Sequence, residues 1–124
     1  MTKKFILFII LFFYSTNLLA ENNRYFDFDK GIVALMYHRF NEAKYPSTNI
    51  QMEVFKKQIE IIENSNINFI NPINFETELL KPHKTKSILL TIDDGFSSFY
   101  ENAWPYLKEK KIPFTLFIST REVG

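Results

Sequence analysis

The sequence predicts an α/β fold in which parallel strands alternate with helices. Three short segments, at residues 32–37, 88–92 and 114–118, are strongly apolar and predict strands. The first is an unbroken apolar run, which is typical of a strand buried on both faces of a parallel sheet. Residues 51–64 instead repeat their apolar side chains at helical spacing. Strands separated by helical segments at such intervals indicate βα units around a parallel sheet.

The helix at residues 51–64 is the most regular of the predicted elements. Its apolar side chains recur three or four positions apart, with charged side chains between them: Met52, Phe55, Ile59 and Ile62. The pattern predicts one buried face and one solvated face.

The remaining elements are shorter. Residues 67–70 form a strand candidate, and residues 75–80 a short helix that Asn74 is placed to cap. A further helix is predicted at residues 100–111, and Pro105 either opens its regular part or kinks it.

Composition excludes several classes of function. The chain has 124 residues, of which 46% are hydrophobic and 17% aromatic, so it is globular in character rather than disordered. Its 15 basic and 14 acidic side chains leave no basic field for nucleic acid or for an anionic membrane. Three scattered glycines form no phosphate-binding loop. With no cysteine, there is no disulfide, and any transition metal must be held by histidines and carboxylates.

Residues 1–20 have the pattern of a secretory signal peptide. Two lysines precede an apolar run that is too short to span a bilayer comfortably, and Ala20 is the best position for cleavage. Leu18 is bulky for such a site, so an uncleaved N-terminal anchor is the alternative. We therefore expect export to the periplasm or beyond the cell, a polar lead at residues 21–29, and one domain at residues 30–124.

The first candidate site is the sequence Asp93-Asp94-Gly95, directly after the strand at residues 88–92. Ligands of α/β sheets bind outside the carboxyl ends of the strands. Adjacent side chains diverge there, so one carboxylate can ligate a metal while the other accepts a proton. The alternative is an ordinary Asp-Gly turn, and a hairpin is its weaker form because a helical pattern follows.

The second candidate site is Tyr37-His38-Arg39, at the carboxyl end of the first strand. It would share the crevice with the aspartates, unless His38 is a loop histidine without a role. His83 lies in a polar loop that enters the next strand from the opposite end, so we expect it at the surface. Four nearby aromatic residues could stack on sugars, although core packing is the simpler interpretation: Phe96, Phe99, Tyr100 and Trp104.

Three segments together resemble the opening part of a polysaccharide deacetylase of the nodulation-type chitooligosaccharide deacetylase kind. They are residues 35–40 (Leu-Met-Tyr-His-Arg-Phe), residues 90–96 (Leu-Thr-Ile-Asp-Asp-Gly-Phe) and residues 112–118 (Ile-Pro-Phe-Thr-Leu-Phe-Ile). The second contains the family's Thr-Phe-Asp-Asp-Gly motif with Ile92 in place of phenylalanine. The resemblance covers residues 30–124 and implies the N-terminal half of a distorted (β/α) barrel.

The resemblance also implies an activity and a set of roles. The family removes N-acetyl groups from N-acetylglucosamine-containing polysaccharides with a divalent metal, usually zinc. By carry-over Asp93 is the general base and Asp94 a metal ligand. His38 is the acid or its orienting partner, and Tyr37 and Arg39 bind substrate.

This sequence departs from the family pattern in its histidines. The family's other two metal ligands form a His-x-x-x-His motif downstream of the strand at residues 114–118, whereas this chain has two histidines in all. We therefore expect an incomplete chain, inactive and unstable alone, whose last strand exposes an apolar edge. The alternatives are a non-catalytic exported glycan-binding or envelope protein and another metal hydrolase, such as a phosphodiesterase.

Overall fold

The computed structural model describes residues 30–122. The predicted signal peptide and the whole polar lead at residues 21–29 lie outside these residues. Within them, no helix combines the length and the apolar character needed to cross a membrane.

The strands form two parallel sheets. In chain order they are β1 (Gly31–Tyr37), β2 (Arg39–Phe40), β3 (Asn49–Ile50), β4 (Asn68–Phe69), β5 (Lys86–Ile92) and β6 (Thr115–Leu116). β2 and β3 pair with each other, and the other strands form a four-stranded sheet around β5. β1 pairs with β5 over its full length, while β4 pairs with the start of β5 and β6 with its end. Helices and parallel strands together confirm the predicted α/β class.

Within residues 30–122, three α-helices accompany the sheets: α1 (Met52–Glu63), α2 (Phe75–Leu79) and α3 (Trp104–Glu109). α1 buries the four apolar side chains that its spacing predicts. A π-helical turn at Phe99–Ala103 leads into α3. Pro105 lies in the first turn of α3, where its missing N–H costs no hydrogen bond, so it opens the regular helix.

The predicted cap of α2 is wrong. Asn74 makes no side-chain hydrogen bond to the helix, because it already belongs to a 3₁₀ turn at Pro72–Asn74. The residue that caps this turn is Asn71, whose Oδ1 accepts from the Ile73 N–H. The chain thus starts to coil one turn earlier than the apolar pattern indicates.

The core lies between the main sheet, α1 and α3. Its completely buried large side chains come from all three layers and from β2: Phe40, Phe55, Ile59, Leu90, Ile92 and Leu107. Aromatic rings dominate one end, where Phe55 meets Phe40 and Tyr37 edge to face at 5.1 and 4.9 Å between ring centroids. This end lies beside the carboxyl ends of β1 and β5.

The expectation that β1 is buried on both faces is wrong. Val33 and Met36 are 40% and 60% exposed. β1 is the outermost strand of the described sheet, with β5 as its one neighbour. At the opposite edge, Phe117 and Ile118 are more than half exposed after β6, which agrees with the apolar edge predicted for the last strand.

Candidate functional site

The carboxyl ends of three parallel strands, β1, β5 and β6, lie together at one end of the main sheet. The pairing of β1 with β5 ends at Tyr37 and Ile92, so His38 and Asp93 follow in register. The Asp93 N–H continues the ladder by donating to the Tyr37 carbonyl at 2.8 Å. The Phe117 N–H donates to the Ile92 carbonyl, also at 2.8 Å, and brings in the end of β6. This is the edge at which ligands bind in parallel α/β sheets.

The Asp93-Asp94-Gly95 segment makes a tight turn at this edge. Asp94 and Gly95 have φ angles of 67° and 64°, both in the left-handed region. A Cβ on Gly95 would meet Ile118 at an ordinary 3.7 Å, so the backbone angle rather than space favours glycine here. A helical segment follows, which excludes the hairpin alternative.

The turn gives its two carboxylates different environments. Asp93 is half-buried, and its Oδ1 is fully buried without a hydrogen-bond partner among the described residues. Asp94 is exposed. It borders an open cavity of about 520 Å³ that is also lined by Arg39, Gly95, Phe96 and Ser119. An unpaired buried carboxylate oxygen is costly, and such groups are typical of functional sites.

Arg39 lies between two aromatic rings. Its guanidinium carbon is 3.3 Å from the centroid of Phe96 and 4.0 Å from that of Tyr45. Its Nη1 contacts Glu42 Oε2 at 2.7 Å. Hydrogen bonding by the Ser98 hydroxyl, followed by the Arg39 bond and charge, lowers the pKa of Glu42 despite opposing desolvation. Arg39 therefore lines the aspartate cavity with its donors already engaged in part.

His38 faces a different cavity from Asp94. The second cavity is smaller, about 250 Å³, and is lined by residues 36–38 and 47–50. His38 and Asp93 are neighbours in register, yet the histidine and Asp94 do not line one common cavity. The role of His38 as acid or orienting partner stays a prediction.

The contacts of Tyr37 are those of a packing residue. Its hydroxyl donates to Gln58 Oε1 on α1 at 2.7 Å, and its ring packs on Phe55. Burial raises the pKa of the Tyr37 hydroxyl. Its assignment to substrate binding stays a prediction that these contacts do not favour.

The second histidine and the aromatic residues near the aspartates lie in different parts of the fold. His83 is half-buried in the loop before β5, at the opposite end of the sheet from Asp93. Phe99 is buried in the core, and Trp104 packs on Phe114 with ring centroids 5.6 Å apart. Tyr100 is 71% exposed. Core packing is thus confirmed for Phe99 and Trp104.

The residues present do not fit a complete metal site. Within residues 30–122, no group of three or more histidine, cysteine, aspartate or glutamate side chains is placed to hold a metal ion. A catalytic zinc normally takes three protein ligands. Asp94 can supply one carboxylate, and the rest of the set is not found among the described residues.

Glu42, Tyr45 and Ser98 were not identified from the sequence. A local signal existed for Glu42, since opposite charges three positions apart often pair, as Arg39 and Glu42 do. Tyr45 and Ser98 carry no such signal. Ser98 Oγ accepts from the Phe40 N–H across 58 positions of sequence, and only the folded chain brings them together.

The chain has recognisable relatives. Residues 80–124 match the family model for polysaccharide deacetylase. A poly-beta-1,6-N-acetyl-D-glucosamine N-deacetylase of Staphylococcus aureus is 30% identical over 115 residues, covering 77% of this chain and 38% of the relative. The putative polysaccharide deacetylase YxkH of Bacillus subtilis is 25% identical over 92 residues, covering 73% of this chain and 32% of the relative.

A solved structure agrees with these relatives. IcaB from Ammonifex degensii superimposes with a TM-score of 0.61 at 33% identity, covering 72% of this chain and 38% of that one. The chain thus spans well under half the length of the proteins it matches. Sequence and structural likeness agree on one family, and together they support a partial polysaccharide deacetylase region in this chain.

Proposed function

We propose that this chain supplies the aspartate half of a metal-dependent hydrolase that removes N-acetyl groups from N-acetylglucosamine-containing polysaccharide. The observation that carries the proposal is the turn at Asp93 and Asp94. One carboxylate there has a buried oxygen without a partner in the described part of the chain, and its neighbour is exposed to an open cavity. The named activity of the Staphylococcus aureus relative supports the choice of substrate class.

Asp93 has the properties that a general base requires. The carboxylate is half-buried at the end of β5 and its Oδ1 accepts no hydrogen bond from the described residues, so its charge is not committed to a partner. Such a carboxylate would accept the proton of a water molecule that attacks the acetamide carbonyl. Its backbone N–H is fixed on the Tyr37 carbonyl, which holds the carboxylate at the sheet edge. His38, the next residue in register, is the proposed acid for the leaving amine.

Asp94 is the proposed metal ligand. The sequence contains two histidines, His38 after β1 and His83 before β5, and they form no His-x-x-x-His pair. Under this proposal the histidine pair for the metal would be supplied from outside these 124 residues. We place the chain accordingly as the N-terminal half of a distorted (β/α) barrel whose remaining strands would cover the apolar edge at Phe117 and Ile118. Residues 1–20 would direct the protein to the periplasm or the cell exterior.

Acetate release from N-acetylglucosamine oligomers tests the proposal. The DNA after the Gly124 codon is read for a His-x-x-x-His pair, and the full reading frame is expressed with zinc. We expect acetate release that Asp93→Asn abolishes, and bound zinc that Asp94→Asn reduces while Asp93→Asn retains it. No histidine pair downstream, or activity that survives Asp93→Asn, would contradict the proposal.

A non-catalytic glycan-binding protein is the second candidate, favoured by the lack of a three-ligand metal group among residues 30–122. It predicts that the folded chain is retained on a column of N-acetylglucosamine polymer without zinc and releases no acetate. Retention that requires zinc, or acetate release, favours the deacetylase instead.

A further inference from the structure

Hydrogen bonds join the end of β1 and β2 to the chain on both sides of the aspartate turn. Ser98 is 4% exposed, and its Oγ accepts from the Phe40 N–H at 3.2 Å. Asn102 Nδ2 donates to the carbonyls of Phe40 and Ser98 at 3.3 and 3.0 Å. These bonds fix the chain beyond the turn, while Asp93 N–H on the Tyr37 carbonyl fixes the chain before it.

The middle of the turn is held in another way. Phe96 follows Gly95 directly, and its ring carries the Arg39 guanidinium at 3.3 Å. The guanidinium carbon also lies over the Tyr45 ring, 4.0 Å from its centroid, and Glu42 accepts from Nη1 at 2.7 Å. Planar guanidinium groups stack on aromatic faces in a way that an ammonium cannot reproduce. Arg39 thus has three close partners: two aromatic rings and one carboxylate.

We propose that Arg39 is a positioning residue that holds the Asp93-Asp94-Gly95 turn through the ring of Phe96. This replaces the role of direct substrate binding predicted from the sequence. The left-handed backbone at Asp94 is unfavourable for a non-glycine residue, and surrounding contacts must maintain it. The Arg39–Phe96 stack is adjacent to this strained position and borders the same cavity.

The three partners of Arg39 explain why this arginine, which lines the same cavity as Asp94, forms no ion pair with the aspartates. Glu42 balances the charge of the guanidinium through an ion pair, and the rings of Tyr45 and Phe96 lie against it. No ion pair between Arg39 and either aspartate occurs among the described residues. The carboxylates therefore remain available while the turn that carries them is fixed.

Nuclear magnetic resonance of the full chain tests the stack directly. Ring currents from Phe96 and Tyr45 shift the Arg39 side-chain protons upfield in the unmodified chain. Phe96→Leu removes most of this shift and Phe96→Tyr, which retains the aromatic face, preserves it. Ordinary Arg39 shifts in the unmodified chain would overturn the proposal.

Amide exchange tests what the stack does. With Arg39→Met, which retains apolar volume, the Phe40 and Asp93 amides are expected to exchange about tenfold faster. The Ile70 amide, bonded to the Ile88 carbonyl at the other end of β5, stays unchanged. Lys44→Met is the control, because Lys44 lies over the same Tyr45 ring at 5.5 Å without contacting the turn. Equal acceleration of all three amides, or none, would overturn the proposal.

One further variant, Arg39→Lys, completes the test in two experiments. Arg39→Lys preserves the charge, and the Phe40 and Asp93 amides are expected to exchange at an intermediate rate in it. This variant therefore tests the positioning role if Arg39→Met does not fold. Exchange identical to that of the unmodified chain would contradict a role for the planar stack. In the full reading frame, Arg39→Lys is expected to lower kcat with little change in KM, whereas a raised KM alone would restore the substrate-binding role. The kinetic experiment rests on the proposed function. If the unmodified protein releases no acetate, the proposed function is contradicted. The magnetic resonance and amide-exchange results still decide the role of Arg39 in that case.

Discussion

β1 and β5 are apolar strands of equal length, paired residue by residue, and the structure treats them differently. Each has seven residues, and their register runs without a break from Gly31 and Lys86 to Tyr37 and Ile92. β5 is paired on both edges, and Leu90 and Ile92 are completely buried. Met36 in β1 is 60% exposed. An apolar run thus predicts a strand, whereas its burial depends on its place in the sheet.

The loops beyond these strands also differ. The loop that follows β2, after β1, and the loop that follows β5 each contain a non-glycine residue in the left-handed region, Asn41 with φ 59° and Asp94 with φ 67°. The Asn41 side chain accepts from the Met52 N–H at 2.8 Å and begins α1. The Asp94 side chain makes no hydrogen bond to another described residue and borders a cavity. One strained position supports the fold, and the other presents a functional group.

Truncating one side chain in each strand gives the largest expected contrast. Leu90→Ala should lower the free energy of unfolding by about 2–5 kcal/mol, because a completely buried leucine leaves a cavity. Met36→Ala should cost less than about 1 kcal/mol because most of that side chain is already in water. Urea unfolding monitored by circular dichroism measures both, and equal losses would show that β1 is buried in solution.

The cap in the first loop comes next in size. Asn41→Ala should lower the free energy of unfolding by about 1–2 kcal/mol, since it removes the acceptor for the Met52 N–H and retains a Cβ at positive φ. Asn41→Gly removes the same acceptor but relieves the backbone strain, so its loss should be smaller. The two urea midpoints decide this, and a glycine variant as unstable as the alanine variant would exclude a backbone contribution.

The second loop should respond in the opposite direction. Asp94→Gly is expected to leave the free energy of unfolding unchanged or to raise it by up to about 1 kcal/mol, because glycine adopts positive φ without strain and no hydrogen bond is lost. Under the proposed function, Asp94→Gly also removes zinc binding by the protein expressed from the full reading frame. Asp94→Ala is the matched control, which lacks the carboxylate but retains the strain. A marked loss of stability in Asp94→Gly would assign this aspartate to the fold.

The smallest expected effect is a pH dependence at Glu42. Its pKa is lowered, first by the Ser98 hydroxyl and then by Arg39, so its contribution to stability is complete above the ordinary value of 4.5. The contribution disappears as the pH falls through the lowered pKa. The urea midpoints of the unmodified chain and of Glu42→Gln should therefore differ near neutral pH and converge well below 4.5. A constant difference across this range would contradict the hydrogen-bonding role of the carboxylate.

Most secondary structure was predictable from local patterns. The apolar spacing of α1 repeats the helical period, and the short, strongly apolar segment of β5 is typical of a buried strand, so local pattern was sufficient for both. The cap at Asn74 failed because a preceding 3₁₀ turn has no apolar period of its own. The assignment of β1 to a doubly buried position failed because a strand's neighbours depend on distant parts of the chain.

The site was predictable to a similar extent. Asp93 and Asp94 were found because they follow a recognisable strand and form part of a motif. Their unequal environments were not predictable, since the buried Oδ1 of Asp93 and the exposure of Asp94 depend on how the turn packs. His38 was expected in the same cavity as Asp94, and the structure places it in another.

The sequence by itself determined the α/β class, the amphipathic face of α1 and the position of the aspartates at the end of β5. These features follow from spacing and from chemistry within a few residues. The tertiary structure alone decided that β1 lies at an edge, that Ser98 binds Phe40 across 58 positions, and that Arg39 stacks on Phe96. The physical reason is that side-chain contacts between distant segments depend on the path of the whole backbone, whereas helical and strand periods depend on local torsion angles.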